Sequence, residues 1–206
     1  METLKFFTNI LIPLLLIMDP LGNLPFFLLF TRQNTPEERK RMAAVASAAA
    51  LAILVFFGLT GDYILRVFAI TLPAFQLAGG IIFFIYSLQM LALIPSGIKT
   101  SEEEEEEGIS KDNVALVPLA IPLLAGPGAV TAVMVWRQAH DSTPDLAFLV
   151  LAIFLASLIV YLVFCSGEWI LRVMGVGGIR VVTRLMGLLL AVIAIQFMVN
   201  GFEQIR

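Results

Sequence analysis

Asp19-Pro20-Leu21-Gly22-Asn23-Leu24-Pro25 stands inside Phe6–Phe30, a 25-residue run whose only charged side chain is Asp19. A helix needs roughly 20 apolar residues to cross a bilayer, so the run reads as a transmembrane span. Proline removes a backbone donor and glycine tolerates unusual backbone, so the quoted stretch reads as a break at mid-membrane depth. Working outward, five more stretches carry no Asp, Glu, Lys or Arg: Met42–Thr60, Val67–Pro95, Val114–Trp136, Leu146–Gly167 and Leu185–Phe202. The six cover 136 of the 206 positions. Overall 59% of residues are apolar and 14% charged, against roughly 45–50% and 25% in an ordinary soluble domain. Six transmembrane helices follow. A soluble enzyme, a disordered chain and a basic nucleic-acid binder are excluded, as is an outer-membrane barrel, whose strands alternate polar and apolar over about ten residues.

The remaining tallies are consistent with a bundle. The single cysteine, Cys165, permits no intramolecular disulfide and reads as packing in the fifth span. Lys5 precedes an apolar core as in a signal peptide, but the run continues to Phe30 with no small-residue cleavage site, so the first helix is taken as part of the mature protein. The loops after spans one, three and five hold Arg32, Arg39, Lys40, Arg41, Lys99, Lys111, Arg172, Arg180 and Arg184; the other side holds Lys5, Arg66, Arg137 and Arg206. Nine against four places the first set in the cytoplasm and both termini outside. The run Glu102–Glu107 then belongs to a solvated cytoplasmic linker.

The chain also repeats itself. Gly61-Asp62-Tyr63-Ile64-Leu65-Arg66-Val67-Phe68 recurs as Gly167-Glu168-Trp169-Ile170-Leu171-Arg172-Val173-Met174, at an offset of 106. Gly80 and Gln89 match Gly187 and Gln196 at offset 107, and Pro20 matches Pro127 at the same offset. Each half holds three spans, an odd number, so the second half enters the membrane from the opposite face. The expected architecture is a 3+3 inverted-topology repeat: residues 1–95, an acidic linker 96–113, and residues 114–206. Many secondary transporters are built this way.

Spans one and four break at corresponding places, the second at Pro118, Pro122 and Ala125-Gly126-Pro127-Gly128-Ala129. A matched pair of Pro/Gly-interrupted spans points to a transporter's binding site. Pro20 and Pro127 suit the first position of a half-helix, whose free N–H groups attract anions. Only the first break carries an acid. The expected site therefore comprises Asp19, Pro20, Gly22 and Asn23, with Gly126, Pro127, Gly128, Ala129 and Thr131. The Gly126–Ala129 turn would cradle a substrate carboxylate, and Asp19 would face an ammonium group or a coupling cation. A small zwitterion fits that asymmetry. Asp19 is also a good helix cap, but an intramembrane acid costs about 2.5–3.5 kcal/mol on an insertion scale and is functional by default. Asn23 serves either substrate contact or the broken backbone. Gln76, Gln89 and Gln196 suit interhelical hydrogen bonds.

Asp62 with Arg66 and Glu168 with Arg172 are spaced to pair along a helical turn, as a staple or gate at each membrane face. His140 reads as solvated beside Asp141. No His or Cys cluster suggests a metal, no Walker loop suggests ATP, and Ser47, Ser87 and Ser157 have no neighbouring histidine; neither a cofactor nor enzyme chemistry is expected. Two rivals from other classes are an intramembrane lipid-handling protein or enzyme using Asp19 as acid or base, and a non-transporting membrane scaffold.

The segments Asp19–Pro25 and Val117-Pro118-Leu119-Ala120-Ile121-Pro122-Leu123-Leu124-Ala125-Gly126-Pro127-Gly128-Ala129 resemble the two signature segments of the MarC family of bacterial and archaeal membrane proteins. The resemblance covers nearly the whole chain. That family is grouped with neutral amino acid transporters and is similar in plan to the lysine-exporter superfamily. The resemblance implies a carrier in a prokaryotic cytoplasmic membrane, coupled to H⁺ or Na⁺, for small neutral amino acids such as glycine or alanine.

Overall fold

The computed structural model describes residues 2–94, 124–139 and 143–205. Among them the chain is helical, with no strand. Helix α1 spans Glu2–Met18, α2 Pro20–Phe30, α3 Pro36–Val67, α4 Leu72–Met90, α5 Pro127–Ala139, α6 Thr143–Cys165 and α7 Gly167–Ile205. Five helical stretches among the described residues are long and apolar enough to cross a membrane: Ile10–Phe30, Pro36–Val67, Leu72–Met90, Pro144–Cys165 and Gly167–Ile205. Helix α5 is the latter part of the expected fourth span; its first part, with Pro118 and Pro122, lies outside the described residues, as do the acidic linker and His140.

Element ends follow from local chemistry. Thr35 caps α3 through a reciprocal box with Glu38, and Pro36 occupies the first helical position, where its missing N–H is no loss. That helix runs past the expected end at Thr60 to Val67 and stops at Ala69, which takes a left-handed φ of 52° while its N–H and that of Ile70 reach back to Arg66 and Leu65 carbonyls. The third span accordingly starts at Leu72 rather than Val67. A larger difference concerns α7. The stretch from Gly167 to Arg184 forms a connecting loop on the charge pattern, yet it is helical and continuous with the last span. The exception is Gly175, at φ 64°, ψ 172°, where two helical segments meet at a kink. That backbone is essentially restricted to glycine.

The core sits where the short helices meet the long ones. Phe27 of α2 stacks on Phe164 of α6 with ring centroids 4.4 Å apart, both fully buried. Helix α4 packs chiefly on α7, α3 on α5 and α6, and α2 on α6 and α7. The α4–α7 seam is tight. A Cβ on Gly80 would lie 3.0 Å from the Ala194 carbonyl oxygen and the Met198 nitrogen, and one on Gly187 would lie 3.2 and 3.3 Å from the Ser87 oxygen and Leu91 nitrogen. Helices in lipid associate by such close backbone approach, because lipid tails remove the hydrophobic drive. Leu59, Leu151, Leu188, Leu189 and Val192 point outward and are exposed, as lipid-facing side chains are.

Candidate functional site

The break in the first span is built residue by residue. Pro20 begins α2 and cannot donate to the preceding turn. Asp19 adopts a left-handed conformation, φ 38° and ψ 66°, and its side chain Oδ1 accepts from the Gly22 N–H at 3.0 Å. In an unbroken helix that N–H would go to the Met18 carbonyl four residues back. The orphaned Met18 oxygen instead accepts from Asn23 Nδ2 at 2.9 Å. Two side chains thus replace one backbone bond, and Asn23 serves the broken backbone. Gly22 leaves room for this cap: a Cβ would stand 1.9 Å from Asp19 Oδ2, so the carboxylate would have to move.

Capping uses only half of the carboxylate. Asp19 is 5% exposed, yet Oδ2 accepts no hydrogen bond among the described residues and is not fully enclosed. Asp19 lines a cavity of about 540 Å³ together with Gly22, Asn23, Pro25 and Phe26. Opposite stand Tyr86, Gln89, Met90 and Ala92 from the end of α4, and Val176, Ile179, Arg180, Thr183 and Arg184 from α7. Ala92 is another non-glycine residue with positive φ, 58°. Strained backbone of this kind gathers where a surrounding structure holds a site in shape. The Thr183 hydroxyl is buried and has no hydrogen-bond partner.

The second break is placed differently. Pro127 starts α5 and the Gly126 carbonyl accepts from Val130, as at a helix N-terminus. None of Gly126, Pro127, Gly128, Ala129 and Thr131 lines the Asp19 cavity. Gly128 packs on Phe83 and Ile17, Ala129 is 1% exposed, and Thr131 donates to the Pro127 carbonyl at 2.8 Å while its methyl group fills the space beside Gly79. The two breaks share a core but not, in this arrangement, one cavity.

The expected staples are corrected. Glu168 pairs with Arg39 of α3, not with Arg172, and Arg39 Nη2 also donates to the Thr31 carbonyl at 3.2 Å. Arg39 therefore ties the end of α2 and the start of α7 to its own helix. Asp62 forms no ion pair with Arg66, and its Oδ1 is buried without a hydrogen-bond partner. Among the amides, Gln89 lines the cavity, Gln76 is buried with Oε1 unpartnered, and Gln196 donates to Asn200 at 2.6 Å. Sequence reasoning missed Tyr86, Thr183, Arg180 and Arg184. For the two arginines a signal was present, since they lie one helical turn apart; Tyr86 and Thr183 carried none.

Residues 4–206 match the MarC family integral membrane proteins. The chain belongs to this family. It is similar to a UPF0056 membrane protein of Methanocaldococcus jannaschii, 42% identical over 91% of both chains. It also resembles one of Aquifex aeolicus, 37% identical over 97% of this chain and 93% of the relative. The UPF0056 membrane protein YhcE of Escherichia coli is 34% identical over 98% of this chain and 92% of its own length. No solved structure matches it. As a MarC member it is an integral, multi-pass membrane protein in contact with lipid.

Proposed function

We propose that this MarC protein is a secondary transporter of small neutral amino acids such as glycine or alanine, coupled to H⁺ or Na⁺ and working by alternating access. The observation that carries the reading is the cavity whose buried end holds Asp19 with one carboxylate oxygen unengaged. An acid in that position attracts an ammonium group or a coupling cation. Pocket sizes of about 300–1,000 Å³ are usual for small-molecule sites, and 540 Å³ admits an amino acid with water around it.

An inverted 3+3 repeat is part of this proposal, and the packing supports it. If halves related by an offset of 106 or 107 exchange across a pseudo-two-fold axis, contacts should come in reciprocal pairs. Gly80 meets Ala194 and Met198, and Gly187 meets Ser87 and Leu91, which are the positions 107 residues earlier. Gly61 meets Met134, and Gly167 meets Leu28, 106 earlier. Gly58 meets Val133, and Phe164 meets Phe27. At the level of elements, α3–α5 answers α2–α6, and α4–α5 answers α2–α7.

The same correspondence supplies the second state. Asp19 maps to Gly126, and Thr183 maps to Gln76, whose buried oxygen is likewise unpartnered. With the basic loops inside, the described cavity faces the cytoplasm. In the opposite arrangement a cavity lined by Gln76 and the Gly126–Ala129 turn would face outward, giving that turn and Thr131 their place in transport. Arg39 with Glu168 would hold the inner face as a staple.

The reading is tested with purified protein in proteoliposomes by counterflow of radiolabelled glycine and alanine. Saturable counterflow that is lost in Asp19→Asn is the expected result. Counterflow unchanged by that substitution would remove Asp19 from the mechanism.

A further inference from the structure

The cavity has two electrically different ends. Asp19 lies at the buried end, while Arg180 and Arg184 line it and are exposed. Four apart on α7, these two arginines share one face, and like charges at that spacing repel. Neither forms an ion pair or hydrogen bond among the described residues, whereas Arg39 pairs with Glu168 and donates to the Thr31 carbonyl. Thr183, on the same stretch, adds a buried hydroxyl with no partner, and Tyr86 and Gln89 add neutral donors to the lining. Two guanidinium groups present planar forks of N–H donors that match a carboxylate bidentately. Gly175 directs this stretch: the kink separates Val176–Arg184 from the first turns of α7, where Glu168 is tied to Arg39.

We propose that Arg180 and Arg184 form the carboxylate-binding pole of the cavity, so that a substrate enters with its carboxylate toward α7 and its cationic group toward Asp19. This deepens the transporter reading and rests on taking the Asp19 cavity as the substrate site. It moves the anion contact, in this arrangement, from the Gly126–Ala129 turn to the arginine pair. It also sets the substrate class: molecules lacking a carboxylate are excluded, and molecules lacking an ammonium group bind at one end only.

The test uses the wild-type full chain in detergent. Arginine modification by phenylglyoxal is followed at each residue by mass spectrometry, with Arg32 and Arg172, exposed and outside the cavity, as internal references. Acetate and glycine should each slow labelling of Arg180 and Arg184 several-fold and saturably, leave Arg32 and Arg172 unchanged, and exceed the effect of equimolar chloride; methylammonium should do nothing. Equal labelling with and without carboxylates would overturn the proposal. So would protection by inorganic phosphate or anionic lipid headgroups but not by acetate, which would make the pair a lipid anchor. Where glycine counterflow is present, Arg180→Gln and Arg184→Gln should each raise its half-saturating concentration about tenfold or more, the size of a lost charge-assisted hydrogen bond. Protection by acetate without any glycine counterflow would uphold the anion pole and refute the neutral amino acid reading instead.

Discussion

Asp19 does two jobs with two oxygens, and substitution can separate them. Oδ1 accepts from the Gly22 N–H, Oδ2 accepts no hydrogen bond among the described residues, and the residue lines the cavity. Asparagine keeps an acceptor for the cap but removes the charge, so Asp19→Asn should change thermal stability by less than about 1 kcal/mol while abolishing transport. Alanine removes both functions, and Asp19→Ala should destabilise by about 1–2 kcal/mol as a lost N-cap. Paired melting curves in detergent check the difference. Asn23 gives a complementary result. Asn23→Leu leaves the Met18 carbonyl without its donor in a buried setting and should cost about 1–3 kcal/mol, whether or not substrate is present. At this scale the sequence was informative: an acid beside a proline in hydrocarbon has few explanations, and the helix cap expected of Asp19 is visible in its side chain.

At the scale of elements, the breaks and the kink carry the design. Spans one through three and five were legible because stretches without charge are long and the breaks carry proline. The last helix was legible only in its second half, Leu185–Phe202, which lies within α7. Arg172, Arg180 and Arg184 made Gly167–Arg184 look like a cytoplasmic loop, because the charge rule locates arginine outside the membrane without saying whether the backbone there is helical. Gly175 was equally silent, since φ 64° with ψ 172° is decided by tertiary packing rather than by its neighbours. That glycine is now the sharpest element-scale prediction. Nothing crowds a Cβ at Gly175, so Gly175→Ala acts through backbone strain alone, at a cost of about 1–3 kcal/mol. It should lower the melting temperature and alter phenylglyoxal access to Arg180 and Arg184, because the helix that carries them relaxes toward a straight path. Gly177→Ala, also in open space but with a negative φ, should leave both readings near wild type.

For the whole molecule, the reciprocal contacts matter more than any single one. They pair positions 106 or 107 residues apart, in the α4–α7 seam and in the packing of α3 on α5 and α6 and of α2 on α6. A seam that tight should respond alike from either half: Gly80→Leu and Gly187→Leu should destabilise to a similar degree, each exceeding the roughly 1–3 kcal/mol typical of an overpacked core, measured by unfolding in detergent. The expectation of a duplication rests on an octapeptide that recurs at an offset of 106 and on glycines at 107, although which residues each half brings to a cavity was not legible. That is decided by packing: Thr183 lines a cavity while Gln76, 107 residues earlier, is buried.

Those two positions give the most direct measurement of alternating access. In a Cys165→Ser background, which removes the native thiol, Thr183→Cys and Gln76→Cys are labelled with a membrane-impermeant maleimide in inside-out and right-side-out vesicles. Thr183→Cys should react from the cytoplasmic face and Gln76→Cys from the outer face, and any condition that raises one rate should lower the other. Reaction of both positions from one face, or rates that rise and fall together, would contradict the exchange of two inverted halves about a single site.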